Sequence, residues 1–361
     1  MNPSDPPFIF SIHSLVRGRV RGPAALLGPV ARELQFFRDD AGPREEALDL
    51  DIILTELGKS GGADTPVGPG NGDNSVPATQ WEGRHLIARW RAALGPAGGA
   101  TRELRFRGNW ASRFIVSKWI VEPAVRVVME SKGAAMLHGA ALSDGGRAVL
   151  VAGAGGAGKT TWALNWIAAG NPYLSDDFTV VKNGQALPYV TPLRLGLMNL
   201  MMGDRLSRLP VAAKAEITLR TVVRRASLGR LKLYYKAMPQ AAAPGMRISG
   251  ESRITGAIWI GRGLQTRGTD RNSAKKISGD EMAARMTEVD RAEMHGFGGD
   301  AGGEGGALSD DFWSAHESRL ADALMGKPCF YLPGRCLPPA AAVSSVAALM
   351  DWAEKMATGG R

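Results

Sequence analysis

The run from Val149 to Thr161, Val-Leu-Val-Ala-Gly-Ala-Gly-Gly-Ala-Gly-Lys-Thr-Thr, combines residue types and spacing suited to binding phosphate. Gly153 is followed, after four residues, by Gly158-Lys159-Thr160, which is the phosphate-loop pattern. Glycine is needed there because the backbone must bend tightly and turn its N–H groups onto phosphate oxygens. Gly153, Gly155, Gly156, Ala157 and Gly158 would form the cradle, with Lys159 reaching the β- and γ-phosphates. The Thr160 hydroxyl suits a place on Mg²⁺, Thr161 completes the nucleotide-binding set, and the helix that follows turns its N-terminus to the anion. An apolar run, Ala148 to Ala152, has the length of a buried strand, and Trp162 to Gly170 reads as a helix closed by glycine. Gly153, Gly155 and Gly158 also satisfy Gly-x-Gly-x-x-Gly, the dinucleotide fingerprint. Lys159-Thr160 decides between the two, because a dinucleotide site has no use for either residue.

Other chemistry-bearing residues gather on both sides of this loop. Asp176 and Asp177 stand at the edge of the apolar run Tyr173 to Lys182, where an acid beside a phosphate loop can hold Mg²⁺ directly or through water. Two adjacent acids permit a division of labour, one on the metal and one accepting the proton of an attacking hydroxyl. His138 lies in the strand-like run Ala134 to Leu142, which the turn Asp144-Gly145-Gly146 folds back beside the loop strand. It is either near the nucleotide or a satisfied core histidine. Arg194, in the extended stretch Ala186 to Leu197, is a candidate phosphate contact or a surface arginine. Between Lys214 and Lys236 seven basic residues face the single acid Glu216. That block is either a solvated helix face or a dock for an acidic or phosphorylated partner, with Arg224, Arg225 and Arg230 as the contacts. Nucleic acid is disfavoured, since no recognition motif or stacking-aromatic pattern accompanies the charge.

The elements that must position these groups fit a chain of 361 residues, long enough for two cores. Hydrophobic residues at 44% and charged residues at 22% are ordinary for a globular protein, while the net charge of +9 is unevenly placed. The polar, Pro-rich start Met1 to Phe8 lacks a signal-peptide core, and no uncharged apolar stretch is long enough to span a bilayer. A soluble, cytoplasmic protein that makes no membrane contact is expected. Cys329 and Cys336 are too few for a disulfide framework, and five scattered histidines give no metal cluster.

Strands are expected at Phe8 to His13, Leu48 to Leu57, His85 to Ala92 and Arg102 to Arg107, with a helix over Ala24 to Phe37. Lys59 to Gln80, rich in Gly, Pro and Asn, reads as a flexible loop. Together these suggest a smaller α+β N-terminal domain over 1–108. Trp110 to Lys132 has helical spacing that Pro123 should break or kink. Asn183-Gly184 predicts a hairpin turn, Ile254 to Ile260 and Pro328 to Leu332 predict buried strands, Gly279 to Met286 starts a helix, and Ala340 to Met356 is a closing amphipathic helix. Gly296 to Gly306, with seven glycines in eleven residues, should hold no regular structure.

The order Leu137-His138-Gly139, turn, phosphate loop, helix ending in Gly170 and Leu174-Ser175-Asp176-Asp177 resembles the HPr kinase/phosphorylase catalytic domain. Its relatives include kinases of peptide-modification pathways, among them lasso-peptide tailoring kinases. The resemblance is sharp over 134–197 and implies an α/β P-loop kinase domain over 109–361, of the HPr kinase/phosphoenolpyruvate carboxykinase type. It implies transfer of the ATP γ-phosphoryl group to a serine hydroxyl, with ATP and Mg²⁺ as cofactors and a peptide or protein acceptor, acidic if the basic block serves it. It also implies roles for residues: Lys159 and Thr160 on phosphates and metal, Asp176 as base, Asp177 on the metal side or exchanged with it, and His138 at the active site. A small-molecule hydroxyl kinase and a non-catalytic ATP sensor are the other classes left open, and a homo-oligomer is compatible with all three.

Overall fold

The computed structural model describes residues 6–40, 48–57, 79–85, 87–95, 101–195, 210–226, 234–243, 245–261, 273–294, 308–334 and 337–359. The chain divides into two compact units, one of residues 1–134 with 291–316, the other of 135–290 with 317–361. Both are mixed α/β.

In the first unit six strands form one sheet: β1 Phe8–Ile12, β2 Val16–Arg21, β3 Leu50–Glu56, β4 Thr79–His85, β5 Ala88–Leu94 and β6 Arg102–Gly108, in the order β1-β2-β3-β6-β5-β4. β2, β3 and β6 run parallel and the outer pairs antiparallel, so this sheet is mixed. The helix Ala24–Glu33 makes the crossover from β2 to parallel β3. β2 escapes a reading by hydrophobicity because it is Val-Arg-Gly-Arg-Val-Arg. Its arginines are accommodated across the ladder, where Arg19 and Arg21 each reach Asp51 Oδ2 at 2.7 Å. The segment expected as a loop to Gln80 gives way to β4 at Thr79, and 58–78 lie outside the described residues. Pro123 falls in the first turn of the helix Glu122–Ser131, where its missing N–H costs no helical bond.

The second unit holds β7 Ala135–Leu137, β8 Gly139–Ser143, β9 Arg147–Ala152, β10 Tyr173–Ser175, β11 Thr179–Lys182, β12 Gln185–Leu187, β13 Leu193–Leu195, β14 Tyr235–Ala237, β15 Ser252–Ile260, β16 Lys275–Ile277 and β17 Cys329–Leu332. Its main sheet runs β10-β8-β9-β15-β12-β11-β7, with β17 beside β15 and β16 beside β17. β9, β15 and β17 are parallel, and they are the buried apolar runs of the sequence. Alternate residues face two cores. On one face Leu150, Ala152, Ala257 and Trp259 pack with Met282, Met286, Leu320 and Leu324 of the helices Gly279–Glu293 and Asp310–Leu324. On the other, Val149, Val151, Ile258 and Ile260 pack with Trp162 and Trp166 of the helix Lys159–Ala168 and with Val346, Leu349 and Ala353 of the closing helix Val346–Thr358. Ser345 caps that last helix by accepting the Ala348 N–H, and Gly359 ends it at φ 73°.

The strand expected over Ala134 to Leu142 is divided at His138, with β7 pairing β11 and β8 pairing β9 and β10. Asn183 and Gly184, at φ 50° and 73°, make the tight turn between β11 and β12. The helix Asp310–Leu324 has no counterpart in the sequence reading. Of the basic segment, 214–226 lie in the helix Val211–Ala226 and Lys236 in β14, while 227–233 and Gly296 to Gly306 lie outside the described residues. No helix among the described residues is long and apolar enough to cross a membrane.

At the end of β9 a Cβ on Gly153 would lie 2.5 Å from the Ile260 carbonyl oxygen, and φ is +154°. Gly146, at the hairpin before β9, has neither constraint. Gly153→Ala should therefore destabilise the chain by about 1–3 kcal/mol in urea unfolding, and Gly146→Ala by far less. Equal costs would refute this account of the loop's first residue.

Candidate functional site

The loop after β9 enters the helix Lys159–Ala168 through Gly158, whose φ of 112° turns the chain in a conformation other residues rarely adopt. Gly156 has φ 82°, and a Cβ at either glycine would meet nothing within 4 Å. Open space therefore lies where a side chain at Gly156 or Gly158 would stand, in contrast to Gly153. Ala157 N–H bonds the Ala154 carbonyl at 3.0 Å, and Trp162 N–H bonds Gly158 at 3.0 Å to start the helix. Gly155 and Gly156 are exposed, Thr160 and Thr161 half-buried. Lys159 is buried, and its Nζ donates to the Gly153 carbonyl at 2.7 Å across the loop. Trp166 anchors the helix from behind by donating Nε1–H to the Ser143 carbonyl at 2.8 Å.

The acidic pair is placed by strand pairing. Ala141 pairs Ser175 and Leu137 pairs Thr179, one register on both sides of the break, so His138 and Gly139 stand opposite Phe178 and Asp177. Ser175 and Thr179 pin the irregular segment between them: the Ser175 hydroxyl accepts Ala141 N–H at 3.0 Å, the two hydroxyls bond each other, and Thr179 donates to the Gly139 carbonyl at 2.9 Å. The pinned turn directs Asp176 to the loop, where the Thr160 hydroxyl and Lys159 favour its ionised form. Asp177 points elsewhere: its Oδ2 meets Arg194 at 2.9 Å and its Oδ1 lies 3.7 Å from His138 Nδ1. The His138 ring sits edge-on to Phe178 at 5.1 Å.

Burial dominates the electrostatics. Asp176 is 4% exposed, its Oδ1 has no hydrogen-bond partner, and its pKa is pushed up to about 7. Desolvation is the first cause and the neighbouring Asp177 charge the second, opposed by the Thr160 hydroxyl, Lys159 and Arg194. Tyr173, whose buried hydroxyl also lacks a partner, is held well above its ordinary value by burial and then by the same two carboxylates.

Thus the structure brings together Lys159, Thr160, Asp176, Asp177, His138 and Arg194. Of the basic block, Arg224 lies over the Tyr234 ring at 4.7 Å, Arg225 is exposed on the helix, and Arg230 is outside the described residues. Arg220 is tied to Glu216 and to the Tyr234 carbonyl. The helix is seated by Ala213 and Ile217 against Tyr173, Leu193 and Leu195, in the cluster that also supports the strand bearing Arg194. Sequence reasoning did not find Tyr173 or Asp290, whose Oδ1 accepts the His138 backbone N–H at 2.7 Å. The one sequence signal at Asp290 is an acid on the apolar stripe of its helix. The dinucleotide alternative finds no support in the topology, since antiparallel β8 stands between β9 and β10.

Comparison with protein-family models and with curated proteins finds no match to this chain.

The raised Asp176 has a stated sign. Between its ordinary range and about 7 the folded chain binds a proton that the unfolded chain has released, so stability falls as pH rises through that window. Carboxyl NMR should find Asp176 titrating near 7 in the free protein, lower in Asp177→Asn and higher in Arg194→Gln. Asp176→Asn should flatten the fall in stability. An ordinary titration, unmoved by either neighbour, would refute the arrangement.

Proposed function

We propose that this chain is an ATP- and Mg²⁺-dependent phosphotransferase, a P-loop kinase of the HPr kinase/phosphoenolpyruvate carboxykinase type. In this reading it transfers the γ-phosphoryl group to a hydroxyl, a serine on a peptide or protein. The carrying observation is Asp176 at the phosphate loop, a buried carboxylate whose Oδ1 has no hydrogen-bond partner and whose ionised form the Thr160 hydroxyl and Lys159 favour. Mg²⁺ prefers one or two such ligands completed by phosphate oxygens and water to an all-protein cage. Among the described residues no group of three or more His, Cys, Asp or Glu could form a cage. The open space at Gly156 and Gly158 fits phosphate oxygens on backbone N–H groups.

Lys159 would exchange the Gly153 carbonyl for a phosphate oxygen, and Thr160 and Asp176 would hold Mg²⁺. When bound, Mg²⁺ would neutralise charge on the phosphates as transfer proceeds. Asp177, its side chain 19% exposed, is the more accessible acid. We therefore give it the base's role and Asp176 the metal side, the exchange that two adjacent acids allow. Arg194 orients the Asp177 carboxylate through Oδ2. The acceptor oxygen forms its bond to the γ-phosphorus as the bond to the β–γ bridging oxygen breaks, leaving ADP, and the hydroxyl proton passes to Asp177. A peptide acceptor is supported by the helix Val211–Ala226, which exposes Arg225 beside Leu219 and Val222 and packs in the same cluster as the Arg194 strand.

The test is transfer of label from ATP carrying it on the γ-phosphate, with Mg²⁺, to acidic serine-containing peptides and to free serine and sugar alcohols. Label should appear on peptide serine and fall by about 10²–10³-fold in Lys159→Ala. Label on the small hydroxyls alone would overturn the macromolecular acceptor. ATP binding with no transfer to any acceptor would make the chain a sensor, and thermal stabilisation by NAD that Lys159→Ala leaves intact would overturn the phosphate-loop reading.

A further inference from the structure

The helix Gly279–Glu293 buries Met282, Ala283, Met286, Thr287 and Asp290, a single face of helical spacing. Met282, Ala283 and Met286 make that face apolar at first and fill the core under the sheet, but Thr287 and Asp290 continue it with polar groups. Asp290 is 0% exposed. A carboxylate taken fully out of water is costly unless it is hydrogen-bonded, so its place on an otherwise apolar face calls for a function. Its Oδ1 accepts the His138 backbone N–H at 2.7 Å, a contact 152 residues distant in sequence.

That N–H belongs to the residue between β7 and β8, where the run divides between partners β11 and β9. The ring on that joining residue is the one 3.7 Å from Asp177 Oδ1. We propose that Asp290 is a positioning residue: its carboxylate fixes the break between β7 and β8 and thereby sets His138 against Asp177 and Phe178. The inference rests on the phosphotransferase reading for its kinetic consequence, though not for its structural one. Asp290 acts through His138 and touches neither nucleotide nor acceptor in this account.

Two variants of the full chain test it. Asp290→Asn keeps an Oδ1 acceptor for the His138 N–H, whereas Asp290→Leu removes it with a residue that suits a buried helix. The leucine variant should lower kcat by about 10–10²-fold, since small misplacements near reacting groups have that effect. Its KM for ATP and its thermal stabilisation by Mg-ATP should stay within about twofold of wild type, and asparagine should restore most of kcat. In the free protein, the His138 amide and ring signals should shift in the leucine variant and keep their wild-type positions in the asparagine variant. Wild-type kcat in a folded leucine variant, or equal loss in both variants, would overturn the proposal. If leucine prevents folding, the asparagine variant decides alone, since displaced His138 signals there would exclude the acceptor role and unmoved signals would support it. Should the wild type transfer no phosphoryl group, the phosphotransferase reading fails, while the His138 signals still report on Asp290.

Discussion

Two adjacent carboxylates with one of them buried is an arrangement that a fold must compensate. Asp176 and Asp177 repel each other, and burial raises the cost of ionising Asp176, which is why its pKa is lifted to about 7. The compensation comes from three groups on two elements: the Thr160 hydroxyl and Lys159 on the loop helix, and Arg194 on β13. Each can serve only if the turn 176–178 is held still. The hydroxyls of Ser175 and Thr179 do this, bonding each other and β8. The acids then face opposite ways, one to the loop and one to His138 and Arg194, and that divergence makes a division of labour geometrically available.

The break at His138 is the second device. Because the register is the same on both sides, one chain segment serves two neighbours without shifting the acids relative to it. β8 continues into the hairpin with β9, so the glycine loop and the acidic turn are positioned from opposite edges of the same strand. The loop itself leaves the C-terminal end of β9 beside parallel β15, the end of parallel strands at which ligands commonly bind.

What the sequence revealed was what short spacing determines. Gly153 to Thr160, the Asn183-Gly184 turn and the buried runs of β9, β15 and β17 are each specified within a few residues. Near the site, Asp176 and Asp177 stood out because they are adjacent. The sequence could not say which of them meets Thr160, since that depends on pins to β8 about 35–40 residues away. Asp290 was illegible for the same reason, and β2 because arginines on a sheet face conceal a strand whose charges Asp51 balances. The basic block was read as charge alone, yet Arg220 and Arg224 spend their guanidinium groups on Glu216 and Tyr234.

The central claim is that Thr160 and Asp176 act together on the metal side of a nucleotide. A double-mutant cycle of Thr160→Val and Asp176→Asn, read as Mg²⁺ affinity in the presence of ATP, measures that coupling directly. Each single change should weaken Mg²⁺ binding, and the double should fall short of their sum by about 0.5–3 kcal/mol, as for groups in contact. Losses that simply add, or Mg²⁺ binding indifferent to both changes, would contradict it.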